Sequence, residues 1–271
     1  MTGDGPLTVG VEEEFSGVDP ATGRLANGAE RILGHLDDRD ACSFASEIRA
    51  TMVETATAVC DTLDTVRARL VESRRAVVAA AEATGLAVVA AGSPPLGGWD
   101  EAEVTASPRY QQILELHQQV VREQIVCGCH VHVGIADRDL AVEVLARVRP
   151  WLAVLLALSS GSPYWNGADT GYASYRTTVW GRWPAADVPE AFASADEYDA
   201  VVAALIDTGT IVDAAQVYWD VRLSAKQPTV EFRVADVCAT VDEAVLQAGL
   251  CRALARTAQR AAVRGEPAPA V

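Results

Sequence analysis

The sequence predicts an α+β domain in which amphipathic β-strands present acidic and imidazole side chains on one face. Two observations support this. Several short segments alternate apolar and polar residues with the period of a β-strand, and longer segments with helical apolar stripes and capping residues separate them. The chain has 271 residues, of which 50% are hydrophobic and 22% charged. It shows no internal repeat or linker, so we expect one catalytic domain over residues 1–264 and a flexible tail over 265–271.

The first predicted strand covers residues 9–15. Glu12 and Glu14 share its polar face, and the valines and phenylalanine form the opposite face. Glu13 falls on the apolar face, so we expect it near a strand end, a bulge or a sheet edge. A second strand over 53–57 is rich in β-branched residues and carries Glu54 on its polar face.

Helices and short strands are predicted to follow these two strands. Thr62 caps a helix that precedes Gly85, and Pro150 interrupts the helix that begins at Asp137. The predicted elements of the rest of the chain are a helix over 62–84, a strand over 86–91, helices over 108–126 and from 137, a loop over 161–190, a helix over 196–208, strands over 217–223 and 229–236, and a helix over 242–263. The aromatic residues of the long loop argue against disorder, so we interpret it as an ordered substrate loop.

The segment 127–134, with sequence Cys-Gly-Cys-His-Val-His-Val-Gly, allows two kinds of site. As a strand, it places His130 and His132 on one face with glycines, and Cys127 and Cys129 on the other face with valines. A zinc cluster would need four converging ligands, so this alternation favours a histidine-bearing pocket floor. A single hydrogen-bonded structural histidine remains the simpler alternative.

The strand over 229–236 places Glu231 and Arg233 opposite its apolar residues. Each such strand alone could be an ordinary amphipathic strand with a solvated face. Several carboxylates and a histidine collected at one place are costly unless cations hold them. Oxygen-rich ligand sets favour magnesium or manganese. The sequence lacks both the G-x-x-x-x-G-K-[ST] phosphate loop and a G-x-G-x-x-G motif, so a nucleotide would be held by cations and scattered side chains.

Composition limits the classes of partner. The formal net charge of −15 argues against nucleic acid and anionic membrane surfaces. Six irregularly spaced cysteines do not form a secreted disulfide framework. Because the N-terminal residues are polar, we expect no signal peptide, and the longest apolar run, 151–158, is too short to span a bilayer. We interpret that run as the buried end of a helix, and we expect a cytoplasmic protein with reduced thiols.

Four motifs, in this order, resemble those of the carboxylate–amine ligases related to glutamate–cysteine ligase family 2. They are Gly10–Phe15, Cys127–Gly134, the stretches Ser159–Trp165, Asp169–Arg176 and Trp180–Pro184 taken together, and Pro228–Asp236. The resemblance spans residues 7 to about 260. It implies an antiparallel sheet curved around the active site, similar to the catalytic core of glutamine synthetase, with flanking helices.

The resemblance also implies an activity and its residues. Such enzymes use ATP and Mg²⁺, with Mn²⁺ as the alternative ion, to join a carboxylate to an amine through an acyl phosphate, the best-known product being γ-glutamylcysteine. The implied cation ligands are Glu12, Glu14, Glu47, Glu54, His130 and Glu231. The implied nucleotide contacts are His130, His132 and Arg233, and the implied catalytic residues are Arg233, Glu54 and Arg176, the last as a contact to a substrate carboxylate or phosphate.

Family members usually continue past the last predicted helix, whereas this chain stops soon after Arg264. A short, specialised member that couples a different amino acid or amine is therefore an alternative, as is a non-catalytic protein that binds nucleotide or amino acid. A metal-dependent hydrolase lacks support, because the serines at 159–162 lack the G-x-S-x-G elbow. The resemblance further implies small amino acid and amine substrates and a homodimer. The sequence does not identify the group that deprotonates the amine.

Overall fold

A computed structural model describes residues 6–37 and 42–269. The strands are β1 Val9–Val18, β2 Cys42–Ser46, β3 Met52–Thr57, β4 Ala87–Val89, β5 Gly128–Gly134, β6 Tyr164–Trp165, β7 Ala168–Asp169, β8 Val221–Leu223 and β9 Thr229–Asp236. The α-helices are α1 Ala29–Leu33, α2 Leu63–Ala83, α3 Pro108–His117, α4 Gln119–Arg122, α5 Arg138–Val148, α6 Leu152–Ser159, α7 Tyr175–Trp180, α8 Ala195–Asp207 and α9 Val241–Val263.

Seven of these strands form one sheet in the order β2-β3-β1-β5-β9-β8, with β4 paired to the C-terminal end of β1. Every pairing in the sheet is antiparallel, and β6 and β7 form a separate hairpin. The predicted α+β class with an antiparallel sheet is confirmed.

The apolar faces of β1, β5 and β9 pack into one hydrophobic core with the long helices α2, α5 and α9. Val11, Val131 and Phe232 are typical members, each almost fully buried. Because strand side chains alternate, burying this face leaves the acids and histidines on the other face. The helices therefore cover one side of the sheet, and the polar side is available for a site.

Several predicted helix ends are confirmed by their capping contacts. The Thr62 hydroxyl accepts a hydrogen bond from the Thr65 amide at 3.1 Å, and Gly85 adopts a left-handed φ of 75° just after α2. Asp137 caps α5, and a 3₁₀ turn containing Pro150 separates α5 from α6. Thr240 and Glu243 form a capping box at the start of α9.

The prediction for Glu13 was wrong. This side chain is fully buried in the middle of β1, a central strand of the sheet. Its carboxylate accepts two hydrogen bonds from Arg74 of α2, at 2.6 and 3.0 Å. Arg74 also donates to the Cys238 carbonyl at 2.7 Å. A buried acid is tolerated on the core face because the helix packed there supplies its counter-ion.

Other predicted boundaries need correction. The helix predicted over 108–126 ends at His117, because Gln118 adopts a φ of 48°, and a short helix follows only to Arg122. The strands predicted over 86–91 and 217–223 are three-residue strands. The run 151–158 is not wholly buried, since Trp151 and Leu158 are about half exposed. The loop over 161–190 contains the β6–β7 hairpin and α7.

The predicted tail falls partly on residues 270 and 271, which lie outside the described residues. Within the described part, the Glu266 carbonyl accepts a hydrogen bond from Arg147 of α5.

Candidate active site

Glutamates from three neighbouring segments meet on the polar face of the sheet. Glu14 of β1 lies directly opposite Glu54 of β3 in the antiparallel pairing. Glu47 follows β2, which is the next strand outward. Carboxylate oxygens of these three residues lie within 4.8 Å of one another. Strand alternation and register together therefore produce the first part of the predicted cation site.

The second part of the site lies between β1 and β5. Glu12 is paired with His130 in the register, and its carboxylate lies 3.3 Å from His130 Nδ1 and 3.2 Å from His132 Nε2. Ligand atoms of Glu12, Glu54 and His130 form one group within 4.8 Å, and those of Glu12, His132 and Glu231 form another. His130 sits at an irregularity in the β5–β9 pairing between Cys129 and Val131. Such bulges re-aim side chains next to active sites.

Glu231 of β9 lies between two arginines. Arg222 of β8, its partner in the strand pairing, donates from Nε and Nη2 to the two carboxylate oxygens at 2.8 and 3.0 Å. Arg233 Nη1 donates to the same carboxylate. Sequence reasoning missed Arg222, although the alternation of Val221, Arg222 and Leu223 was a usable signal.

The two arginines differ in the hydrogen-bonding capacity that remains. Arg222 also donates to the Ala215 and Val217 carbonyls at 2.8 and 2.7 Å, so its guanidinium is nearly saturated. Arg233 has a buried Nε without a hydrogen-bond partner among the described residues. Its guanidinium lies over the rings of Trp180 and Tyr218, 5.6 and 5.9 Å from their centroids. Arg233 is therefore the arginine with donors left for an anionic ligand.

The structure places Arg176 behind the site. Its side chain is buried and donates to the Val234 and Arg233 carbonyls of β9 at 3.2 and 3.1 Å. Asp236, 3.8 Å from the Arg176 guanidinium, accepts hydrogen bonds from the hydroxyls of Ser162 and Ser174 at 2.6 and 2.9 Å. Arg176 does not line the cavity, so its contacts attach the segment around α7 to the strand that carries Arg233.

A cavity of about 720 Å³ covers the polar face. Every predicted site residue except Arg176 lines it. Sequence reasoning did not single out Arg109, Tyr110 and Tyr218, which also line it, because their approach depends on the packing of distant segments. Arg109 donates to Asp213 at 2.7 and 3.0 Å at one side of the cavity.

The protonation of the three-glutamate group reflects burial and like charge. Burial and the charge of Glu47 raise the pKa of Glu14 from its ordinary value of 4.5 to about 8. Burial also raises the pKa of Glu47. The pKa of Glu54 lies well above its ordinary range because of burial and the charges of the neighbouring glutamates. This group holds protons at neutral pH unless a cation replaces them.

On the histidine side of the site, the pKa values of the glutamates are lowered rather than raised. Burial disfavours ionisation of Glu12, but hydrogen bonds with His130 and His132 outweigh burial and lower the pKa of Glu12. Burial and Arg233 lower the pKa of His130 to about 4, so its imidazole is neutral and can bind a metal. Burial likewise disfavours the carboxylate of Glu231, but Arg233 and Arg222 lower its pKa.

These residues fit hard divalent cations. The ligand set consists of five carboxylates and two imidazoles in three overlapping groups, and oxygen-rich sets of this kind suit Mg²⁺ or Mn²⁺. The buried Nε2 atom of His130 has no hydrogen-bond partner among residues 6–37 and 42–269, which leaves that atom available to bind a cation.

The cysteines do not contribute to these groups. Cys129 lies in the hydrophobic core with the valines of β5, as predicted. Cys127 does not share that cluster: it lies just before β5, and its Sγ is 3.4 Å from the Ser16 hydroxyl. All six cysteines are buried, and no group of metal-ligating side chains found in the described part of the chain contains one. The pocket-floor interpretation of the Cys-His segment agrees with this geometry.

A family model described as Glutamate-cysteine ligase family 2 matches residues 8–268. The chain belongs to this family. A Frankia alni protein named "Putative glutamate–cysteine ligase 2-2" is 45% identical over all of this chain and 74% of its own length. A protein of the same name from Mycolicibacterium vanbaalenii is 48% identical over 96% of this chain and 71% of its own length. Another Frankia alni relative is 48% identical, with only 30% of its length covered.

Solved structures show the same fold at low identity. Glutamate–cysteine ligase from Francisella tularensis, solved in complex with AMP, has a TM-score of 0.71 and 14% identity over 94% of this chain and 66% of its own. A bifunctional glutathione synthetase from Pasteurella multocida has a TM-score of 0.70 and 15% identity, with 92% of this chain and 39% of its own covered. Membership of the family supports an enzyme of the ligase type, and the solved structures show its fold. Across the described residues, no helix is long and apolar enough to cross a membrane.

Proposed function

We propose that this chain is an ATP- and Mg²⁺-dependent carboxylate–amine ligase that forms an amide through an acyl phosphate. The proposed reaction joins the γ-carboxylate of glutamate to cysteine or to another amine. The observation that carries the proposal is the convergence of seven acidic and imidazole side chains from four strands and one connecting segment, beside an arginine with unused donors, in one cavity. Membership of the family supports the same reaction class.

The chemistry explains why such a site is useful. A carboxylate is a poor acyl donor, and transfer of the γ-phosphoryl group from ATP gives it a good leaving group. Phosphoryl transfer depends on positioning and charge neutralisation more than on covalent help from the protein. Bound divalent cations would supply that neutralisation, held by the three ligand groups around Glu12, Glu54 and Glu231.

The residues around the cations have separate proposed roles. Arg233 binds the transferred phosphate, because its donors are incompletely used and its guanidinium is fixed between Glu231 and two aromatic rings. Burial would favour a neutral Arg233, but Glu231 outweighs it and raises the pKa of Arg233, so the charge is permanent. Arg222 orients Glu231, and Arg176 orients the backbone beneath Arg233.

We also propose that the protein works on small molecules, as a homodimer, in the cytoplasm. A net charge of −15 disfavours nucleic acid as a partner, and six buried cysteines are compatible with a reducing compartment. Light scattering on a sizing column tests the dimer.

The decisive experiment measures phosphate release from ATP with Mg²⁺ and glutamate, with cysteine and a panel of other amines, and identifies the products by mass spectrometry. Amine-dependent phosphate release with the matching amide supports the ligase and names its substrates. A product formed only with an amine other than cysteine supports the specialised alternative. ATP binding without phosphate release for any pair contradicts the proposal.

A further inference from the structure

The chain has 22 lysine and arginine residues, and Lys226 is the only lysine among them. It lies in the turn between β8 and β9, is exposed, and lines the active-site cavity. The one lysine ammonium of the chain therefore borders the cavity from an exposed position.

The turn that carries Lys226 is held by main-chain contacts. The Ser224 amide donates to the Thr229 carbonyl at 3.0 Å, and the Thr229 amide donates to the Gln227 carbonyl at 2.8 Å. At the base of the same hairpin, Arg222 binds Glu231 through two hydrogen bonds. Lys226 is thus a long, exposed side chain on a backbone fixed to the strand that carries a proposed cation ligand.

The charges around the cavity leave Lys226 without an acidic partner. Arg109 binds Asp213, and both Arg222 and Arg233 bind Glu231. In the described part of the chain, no hydrogen bond or ion pair is found for the Lys226 ammonium. Lys226 lines the same cavity as Arg222 and Arg233, and Glu231 already binds both of those arginines. An exposed ammonium without an acidic partner in a ligand cavity can bind an anionic ligand.

We propose that Lys226 binds an anionic oxygen group of a substrate in this cavity, either a phosphate of the nucleotide or a carboxylate of the acid. An ammonium on a four-carbon stem is a compact point charge that can follow a ligand, whereas a guanidinium prefers a fixed planar contact. The inference rests on the proposed function, because that function places nucleotide and acid together in the cavity.

The single lysine allows a direct test. The intact protein is treated with an amine-acylating reagent, and peptide mass spectrometry follows the labelling rate of Lys226. A reference peptide with one lysine in the same tube corrects for reagent consumed by other amines. The arms contain Mg²⁺-ATP, glutamate, and sulfate at matched ionic strength, the last as a control for screening.

We expect Mg²⁺-ATP or glutamate to slow labelling of Lys226 about tenfold, equivalent to about 1.4 kcal/mol. Protection by Mg²⁺-ATP assigns a phosphate contact, and protection by glutamate alone assigns a carboxylate contact. Lys226→Gln should raise the KM for the protecting substrate about tenfold, and Lys226→Arg, which keeps the charge, should raise it less. A labelling rate that neither ligand changes beyond the sulfate control overturns the inference.

These outcomes separate the two proposals. Protection of Lys226 by ATP without amide formation from any amine would contradict the ligase and leave the anion contact intact. Amide formation with unprotected Lys226 would remove the anion contact and leave the ligase intact.

Discussion

Replacing Glu54 with glutamine should stabilise the protein in the absence of cations. Carboxylate oxygens of Glu14, Glu47 and Glu54 lie within 4.8 Å of one another. Two unit charges at that separation repel by about 3 kcal/mol at an effective dielectric constant of about 20. The buried pair of Glu54 and Glu14, directly opposite in the sheet, therefore carries a charge penalty that Glu54→Gln removes while keeping the side-chain shape.

The effect should depend on pH. The pKa of Glu14 is raised from 4.5 to about 8, so its contribution to stability is fully present below about pH 4.5 and is lost as the pH rises through 8. At pH 8 we expect Glu54→Gln to raise the free energy of unfolding by about 2 kcal/mol, a part of the full repulsion because protonation already relieves the rest. Near pH 5 the difference should nearly vanish, since Glu14 and Glu54 of the wild type are protonated there.

With Mg²⁺ bound, the wild type should become more stable than Glu54→Gln, which reverses their order in the apo state. Mg²⁺ stabilises the folded state more when it binds more tightly, and the variant has lost a ligand. Urea unfolding with and without Mg²⁺ at both pH values measures this, with Glu82→Gln on the exposed face of α2 as the matched control. The reasoning is refuted if Glu54→Gln destabilises the apo protein at pH 8, or if Mg²⁺ stabilises variant and wild type equally.

Four further predictions follow from the same geometry. Mg²⁺ affinity should rise with pH up to about 8, because binding displaces the proton held by Glu14. Calorimetry in buffers of different ionisation enthalpy measures the released protons. Binding at pH 7 without proton release would contradict this prediction. Glu231→Gln should lower turnover at least about 100-fold. It should also lower the free energy of unfolding by about 3 kcal/mol, because two buried arginines lose their carboxylate. Near-normal turnover with ordinary Mg²⁺ dependence would show that Glu231 is not a cation ligand. Glu13→Gln should lower the free energy of unfolding by a similar amount, because it breaks a buried ion pair. It should leave Mg²⁺ affinity unchanged, because this side chain faces the hydrophobic core. A large loss of Mg²⁺ affinity would contradict the assignment of Glu13 to the face opposite the cation site. Cys129→Ser should not change the metal content measured by mass spectrometry, and stoichiometric zinc lost in the variant would revive a zinc cluster.

The alternation of side chains along a strand explains which site residues could be predicted from the sequence. Glu12, Glu14, His130, Glu231 and Arg233 could be assigned to polar strand faces because side-chain direction in a strand is fixed by the two-residue period. The structure places all five around one cavity. Glu47 follows the end of a strand, and its place in the set came from the family resemblance rather than from periodicity.

Where side-chain direction depends on packing, sequence reasoning was insufficient. Arg176 lies in a recognisable motif, but the direction of its guanidinium is set by the carbonyls of β9 and by Asp236. Glu13 could not be placed correctly because its partner, Arg74, comes from a helix 61 residues away in the sequence.

The sequence by itself determined the class of the domain, the two faces of its central strands, and the family to which its motifs point. These are properties of short segments, and local backbone geometry decides them. Only the tertiary structure decided which acids share a cation group, which arginine keeps free donors, and where Lys226 lies. Those relations depend on strand register and on the packing of segments far apart in the chain, which no local pattern encodes.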